Sequence, residues 1–158
     1  MSNNTEIHVD ECVPMVRITR EFDAPPERVY QAHVDPELFA QWVGPRSIDT
    51  TIDHFDARTG GSWRYLAKRD DFEAFFYGSF HELRTNELIV QTFAFEGMPD
   101  SVALERLTLE ALPNGRTRLT ATSLVDSFEA RDAFVASGME SGINEGYEKL
   151  DELFATEQ

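Results

Sequence analysis

The side chains through which this chain could act chemically are few and widely spaced. It holds four histidines (His8, His33, His54 and His81) and one cysteine, Cys12. The histidines lack the short spacing that metal ligands share, so no metal site is expected. A single cysteine permits neither an internal disulfide nor a thiolate cluster. Cys12 also lies in an acidic stretch, with no histidine partner evident and no helix start to lower its pKa. His81 and Glu82 are neighbours, but neighbours on a strand face opposite ways. The patterns GxSxG, GxGxxG, HExxH and the P-loop are all absent. The catalytic residues are therefore unknown, and no cofactor is implied. A glutamate inside a cavity would serve as a base, although most glutamates here are more simply solvated carboxylates.

Aromatic residues and glycines carry more information. The chain has twelve Phe, four Tyr and two Trp, and Tyr65, Tyr77, His81, Gln91 and Thr92 place polar groups among the rings. Alternation sets Trp63, Tyr65 and Ala67 on one face of a strand and Arg64 and Leu66 on the other. Gly138, Gly142 and Gly146 fall four apart, on one stripe of a helix. Each interior glycine costs roughly 1 kcal/mol relative to alanine, so something must offset the stripe. One reading is close backbone packing against the sheet, or a kink. The other is a smooth cavity wall flanked by Met139, Ile143 and Tyr147. A membrane-type small-residue face is excluded by Glu140, Glu145 and Glu148.

The elements that must hold these residues follow from periodicity. Val13 to Phe22 reads as a strand that ends at Asp23-Ala24-Pro25-Pro26, where Asp23 is placed to cap a helix. PPERVYQAHV is helical, Asp35-Pro36 stops it, and a second short helix carries Leu38, Phe39 and Trp42 to Gly44-Pro45. From Ser47 the period becomes two, and six strands follow one another through tight turns at Gly60-Gly61, Asp70-Asp71, Thr85-Asn86, Gly97 to Asp100 and Asn114-Gly115. Ser127 to about Ala155 returns to helical spacing, with Phe128, Phe134 or Val135, Met139, Ile143, Tyr147, Leu150 and Phe154 on its apolar face. That helix must pack on the sheet, because neither can bury its apolar side alone.

Length and charge bound the rest. At 158 residues the chain fits one domain, read as a tail over 1–12 that precedes or extends the first strand and a single domain over 13–156. Fourteen basic against 29 acidic residues give a net charge of −15, which argues against nucleic acid or an anionic membrane as partner. No window is apolar enough to span a membrane, and the acidic N-terminus does not read as a secretory signal. A cytoplasmic protein, monomer or homodimer, is expected.

The segments REFDAPPERVYQA, DPELFAQWVGP, DARTGGSWRY and SGMESGINEGYEKLDELF stand in that order. Together they resemble the SRPBCC (START-like, helix-grip) superfamily, in the branch named for the C-terminal domain of the heat-shock-protein-90 ATPase activator. The likeness runs from Val13 to Phe154. It implies an α+β fold in which a curved antiparallel sheet of six to seven strands wraps a long C-terminal helix, with two short helices after the first strand. It further implies an apolar cavity between sheet and helix, in a superfamily that includes lipid carriers, hormone receptors and polyketide cyclases. The co-chaperone that gives the branch its name has a separate N-terminal domain for which this chain has no room, so a chaperone partner is the least expected. The expected ligand is a small apolar or aromatic molecule, bound by Trp42, Trp63, Tyr65, Tyr77, Met139, Gly142, Ile143, Gly146 and Tyr147. A cyclase- or hydrolase-like enzyme using the same cavity is the alternative.

Overall fold

The computed structural model describes residues 4–156, so residues 1–3 of the predicted tail lie outside the described residues. The chain runs β1 (Glu6–Val9), β2 (Met15–Phe22), α1 (Pro26–Val34), α2 (Pro36–Trp42), β3 (Asp49–Phe55), β4 (Ser62–Arg69), β5 (Phe72–Arg84), β6 (Leu88–Phe95), β7 (Val102–Leu112), β8 (Arg116–Leu124), α3 (Phe128–Ala136) and α4 (Met139–Thr156). The eight strands form one sheet in the order β1-β2-β8-β7-β6-β5-β4-β3, and every pairing is antiparallel. The fold is α+β, as expected, with one strand more than the sequence suggested. No helix is long and apolar enough to cross a membrane.

Three hairpin tips place a non-glycine residue at positive φ: Asp70 (48°), Asn86 (67°) and Asn114 (66°). Aspartate and asparagine tolerate that region because their short side chains hydrogen-bond to nearby backbone. Asn114 and Gly115 (φ 69°) are both left-handed in the three-residue connection Pro113–Gly115 that joins β7 to β8. At Asp35, α1 ends and α2 starts; the Asp35 carboxylate accepts from the amides of Glu37 and Leu38. Asp23 does not cap α1. Pro25 occupies that position with no side-chain cap, and Asp23 pairs with Arg116 instead.

Helices pack on one side of the sheet, its inner face. There Phe22 meets Tyr147 edge-on at 5.2 Å and Phe154 at 5.9 Å. Val16, Phe22, Leu119 and Leu150 lose all contact with solvent in this core. Arg20, 4 % exposed, is held at its end by Asp151 of α4, with nitrogen–oxygen distances of 2.8 and 2.7 Å.

The predicted single terminal helix is two helices. Gly138 has φ 91°, a left-handed conformation that terminates α3 and that a side chain would strain. Gly138 therefore belongs to a break rather than to a glycine stripe. Only Gly142 and Gly146 remain inside α4.

Candidate functional site

The strand register aligns Phe80 of β5, Gln91 of β6, Glu105 of β7 and Ser123 of β8, with Val16 of β2 beyond. Since Val16 is in the core under α4, the whole row faces inward. The next inner row, Ile89, Leu107, Ala121 and Ile18, is entirely apolar. Three adjacent strands thus present polar groups side by side on a face otherwise built for burial.

These groups are incompletely matched. Gln91 Nε2 donates to Glu105 Oε1 at 3.0 Å. Ser123 is 7 % exposed and its Oγ has no hydrogen-bond partner. No Lys or Arg among the described residues pairs with Glu105. Burial pushes the Glu105 carboxyl above the ordinary range, while the dipoles of Gln91 and Ser123 pull it partway back. The phenols of Tyr65 and Tyr147 are both raised, chiefly by burial and secondarily by the charge of Glu105. One phenol belongs to β4 and the other to α4, so the carboxylate lies within electrostatic reach of both walls.

Aromatic rings surround this row. Trp63 stacks on Tyr65 at 5.5 Å and meets Phe93 at 5.7 Å; Phe76 lies 5.5 Å from Tyr65 and 5.3 Å from Phe93. Gly78 makes room for the indole. A Cβ there would sit 2.7 Å from the Trp63 ring and 2.0 Å from the Thr92 carbonyl oxygen. A second file of rings, Tyr65–Phe39–Trp42–Tyr147, joins the sheet to α2 and α4 at 5.6, 5.5 and 6.1 Å. Phe76, Gln91, Phe93, Glu105 and Ile143 are nonetheless half-buried. The C-terminal half of α4 seals against β2 and β8, whereas the inner face over β5–β7 stays partly accessible.

Of the residues singled out from sequence, Trp63, Tyr65, Met139, Ile143 and Tyr147 all join the two inner cores. Trp42 does too, and its Nε1 donates to the Ala32 carbonyl at 2.8 Å. Gly142 and Gly146 face α2 and its exit rather than the sheet. A Cβ on Gly142 would lie 3.6 Å from Pro45 Cδ, and one on Gly146 would lie 3.1 Å from the Trp42 carbonyl oxygen. Tyr77 stands opposite Arg64, next in sequence to inner-facing Trp63 and Tyr65, and so lies on the outer face. The sequence alone does not single out Glu105 or Ser123. In VALERLTLEAL both faces of the strand read as apolar, so alternation does not reveal that Glu105 points inward.

The outer face holds a cleft of about 310 Å³, lined by His54, Ser62, Arg64, Tyr77, Ser79 and Glu96 and reached also by Trp63 and Gly78. The register shift between Ile52 and His54 is a bulge, which lets the consecutive residues Asp53 and His54 share one side. Asp53 Oδ2 lies 3.1 Å from His54 Nδ1, and His54 Nε2 lies 3.1 Å from Ser62 Oγ. Arg64 beside them is engaged by Glu96 and Asp53. No group of three or more His, Cys, Asp or Glu among the described residues is placed to hold a metal ion.

Residues 23–155 match the family model described as "Activator of Hsp90 ATPase homolog 1-like protein". The chain belongs to this family. Solved structures similar to this Hsp90-ATPase-activator-like chain include a protein from Chromobacterium violaceum, 28% identical, with a TM-score of 0.79 over 89% of this chain and 96% of that one. A protein from Arthrobacter aurescens is 27% identical, with a TM-score of 0.84 over 92% and 88%. One from Mycobacterium smegmatis, 23% identical, shares the fold with a TM-score of 0.88 over 98% and 99%. The search of curated proteins found no match. The fold is thus that of the SRPBCC superfamily, in its Hsp90-ATPase-activator-like branch.

Proposed function

We propose that this chain binds an apolar or aromatic small molecule between α4 and the inner face of β4–β7. The observation that carries the reading is the Gln91–Glu105–Ser123 row, set among aromatic rings and left without a counter-charge. A face built for stability alone would carry apolar residues there, because burying an unmatched polar group costs free energy. Trp63, Tyr65, Phe76 and Phe93 supply a cluster of packed rings on the sheet, and Ile143 and Tyr147 supply apolar groups on α4. Trp42 and Met139 close the α2 end. Gly146 acts indirectly, by letting α4 approach α2, whereas Gly142 makes only an ordinary contact with Pro45.

Titration with N-phenyl-1-naphthylamine, followed by its fluorescence, tests this. Saturable binding is expected, weakened at least tenfold by Ile143→Trp, which sets a bulky ring at the proposed site, and unchanged by Leu66→Trp on the outer face. Absence of saturable binding, or equal affinity in all three proteins, overturns the reading.

A hydrolase reading has one observation in its favour, the Asp53–His54–Ser62 chain of the outer cleft. Its order of groups is that of acyl-transfer triads. It ranks second because all three residues are exposed and the neighbouring cation is already occupied. Hydrolysis of p-nitrophenyl acetate that disappears with Ser62→Ala would promote it; unchanged turnover would remove it.

A further inference from the structure

We propose that the ligand of the inner site is an organic cation, an aromatic or apolar molecule whose protonated amine docks on Glu105 and whose body lies on Trp63, Tyr65, Phe76 and Phe93. The inference rests on the small-molecule reading above and narrows its ligand class.

Glu105 is the side chain that decides the matter. A carboxylate offers about four acceptor sites, and here Gln91 fills one with a neutral donor. The inner-face cation Arg20 is committed at its end to both oxygens of Asp151, so it is not available to Glu105. Opposite Glu105 in the β7–β8 register, the buried Ser123 hydroxyl lies close enough to the carboxylate to draw its pKa down but makes no hydrogen bond of good geometry. An ammonium carries three N–H donors, enough to meet the carboxylate and the serine oxygen together.

The surroundings favour the same charge. Aromatic faces attract cations through their quadrupoles, most strongly where water is excluded. The phenols of Tyr65 on β4 and Tyr147 on α4 both feel the charge of the carboxylate, and Trp63 stacks on Tyr65. An anionic ligand would meet Glu105 at close range and a chain of net charge −15 on approach. A neutral ligand would leave the half-buried carboxylate without a counter-charge. Of the three charge classes, the cation alone improves the site it enters.

The test compares three competitors of one shape at pH 7.5: 2-(aminomethyl)naphthalene, 2-(hydroxymethyl)naphthalene and 2-naphthoic acid. Each displaces N-phenyl-1-naphthylamine from the wild-type protein and from Glu105→Gln. The ammonium is expected to displace at a concentration at least tenfold below that of the alcohol, with the acid weakest. Glu105→Gln is expected to abolish that gap, each displacement being referred to the variant's own affinity for the probe. Equal potency of ammonium and alcohol in the wild type, or a gap that survives Glu105→Gln, overturns the cation assignment and leaves the small-molecule reading standing. Should the neutral probe not bind, calorimetric titration of the three competitors decides. Heat from the ammonium alone supports the assignment, and heat from none overturns both.

Discussion

The Cβ position of Gly146 lies 3.1 Å from the carbonyl oxygen of Trp42, closer than a side-chain carbon normally approaches backbone. Helix α4 therefore rests on the end of α2 through a residue with no side chain. Gly142, one turn earlier, meets only the edge of the Pro45 ring at 3.6 Å, an ordinary contact.

The two glycines should respond oppositely to a methyl group. Gly142→Ala is expected to stabilise the protein by about 0.5–1 kcal/mol, through helix propensity and a less flexible unfolded chain. Gly146→Ala gains the same propensity but must displace backbone, and a net loss of about 1 kcal/mol is expected. Urea midpoints of the two variants measure the difference. A stabilised Gly146→Ala would show that α2 and α4 can separate freely.

Glu105 should be a stability liability in the unliganded protein. Its folded carboxyl titrates above its unfolded one, so the fold favours the protonated form and the ionised form opposes folding at neutral pH. Glu105→Gln is expected to raise stability at pH 7 by about 1 kcal/mol. The gain should shrink as pH falls and the wild-type carboxyl takes up its proton. Denaturation midpoints of both proteins from pH 4 to pH 8 check the sign, and a destabilised Glu105→Gln would contradict it.

His33 should make the protein acid-sensitive. Its ring packs on Trp42 at 4.9 Å and its Nδ1 lies 2.7 Å from the Val29 carbonyl oxygen. Burial lowers its pKa from 6.5 to about 4, against a smaller opposing effect of that carbonyl. Between those values the unfolded state binds a proton that the folded state refuses, so stability falls as pH drops from 6.5 towards 4. The linked loss is at most about 3 kcal/mol, and less because the ring is only half-buried. His33→Gln should flatten that part of the profile. A wild-type profile already flat there would mean that the ring is protonated in place.

Much of this fold is legible in the sequence because the signals are local. Asp70, Asn86 and Asn114 mark their turns, and Asp35-Pro36 marks the step between α1 and α2. Strand β1 is not legible: Ile7 and Val9 alone give too short an alternation. Nor is the break at Gly138, where the three-and-four spacing of apolar residues runs on past a glycine whose φ no pattern encodes. Trp63 and Tyr65 share one face, as alternation implies, since alternation within a strand is a local property. Glu105 was hidden by long-range geometry. On β7 the outer face also carries apolar residues, the exposed Val102 and Leu104, so the inward side is set only by pairing with β6 and β8.

The most direct test of an inner binding site uses the two indole N–H resonances in a ¹H–¹⁵N spectrum, one from each tryptophan. Trp42 Nε1 is tied to the Ala32 carbonyl, whereas Trp63 Nε1 is buried without a partner. On titration with 2-(aminomethyl)naphthalene, the Trp63 indole and the Gln91 side-chain amide should shift together along one saturable curve. The backbone amides of Ser62, Arg64 and Ser79, residues of the outer cleft, should stay in place. Shifts confined to those outer residues, or a spectrum that does not change at all, would contradict binding at the inner face.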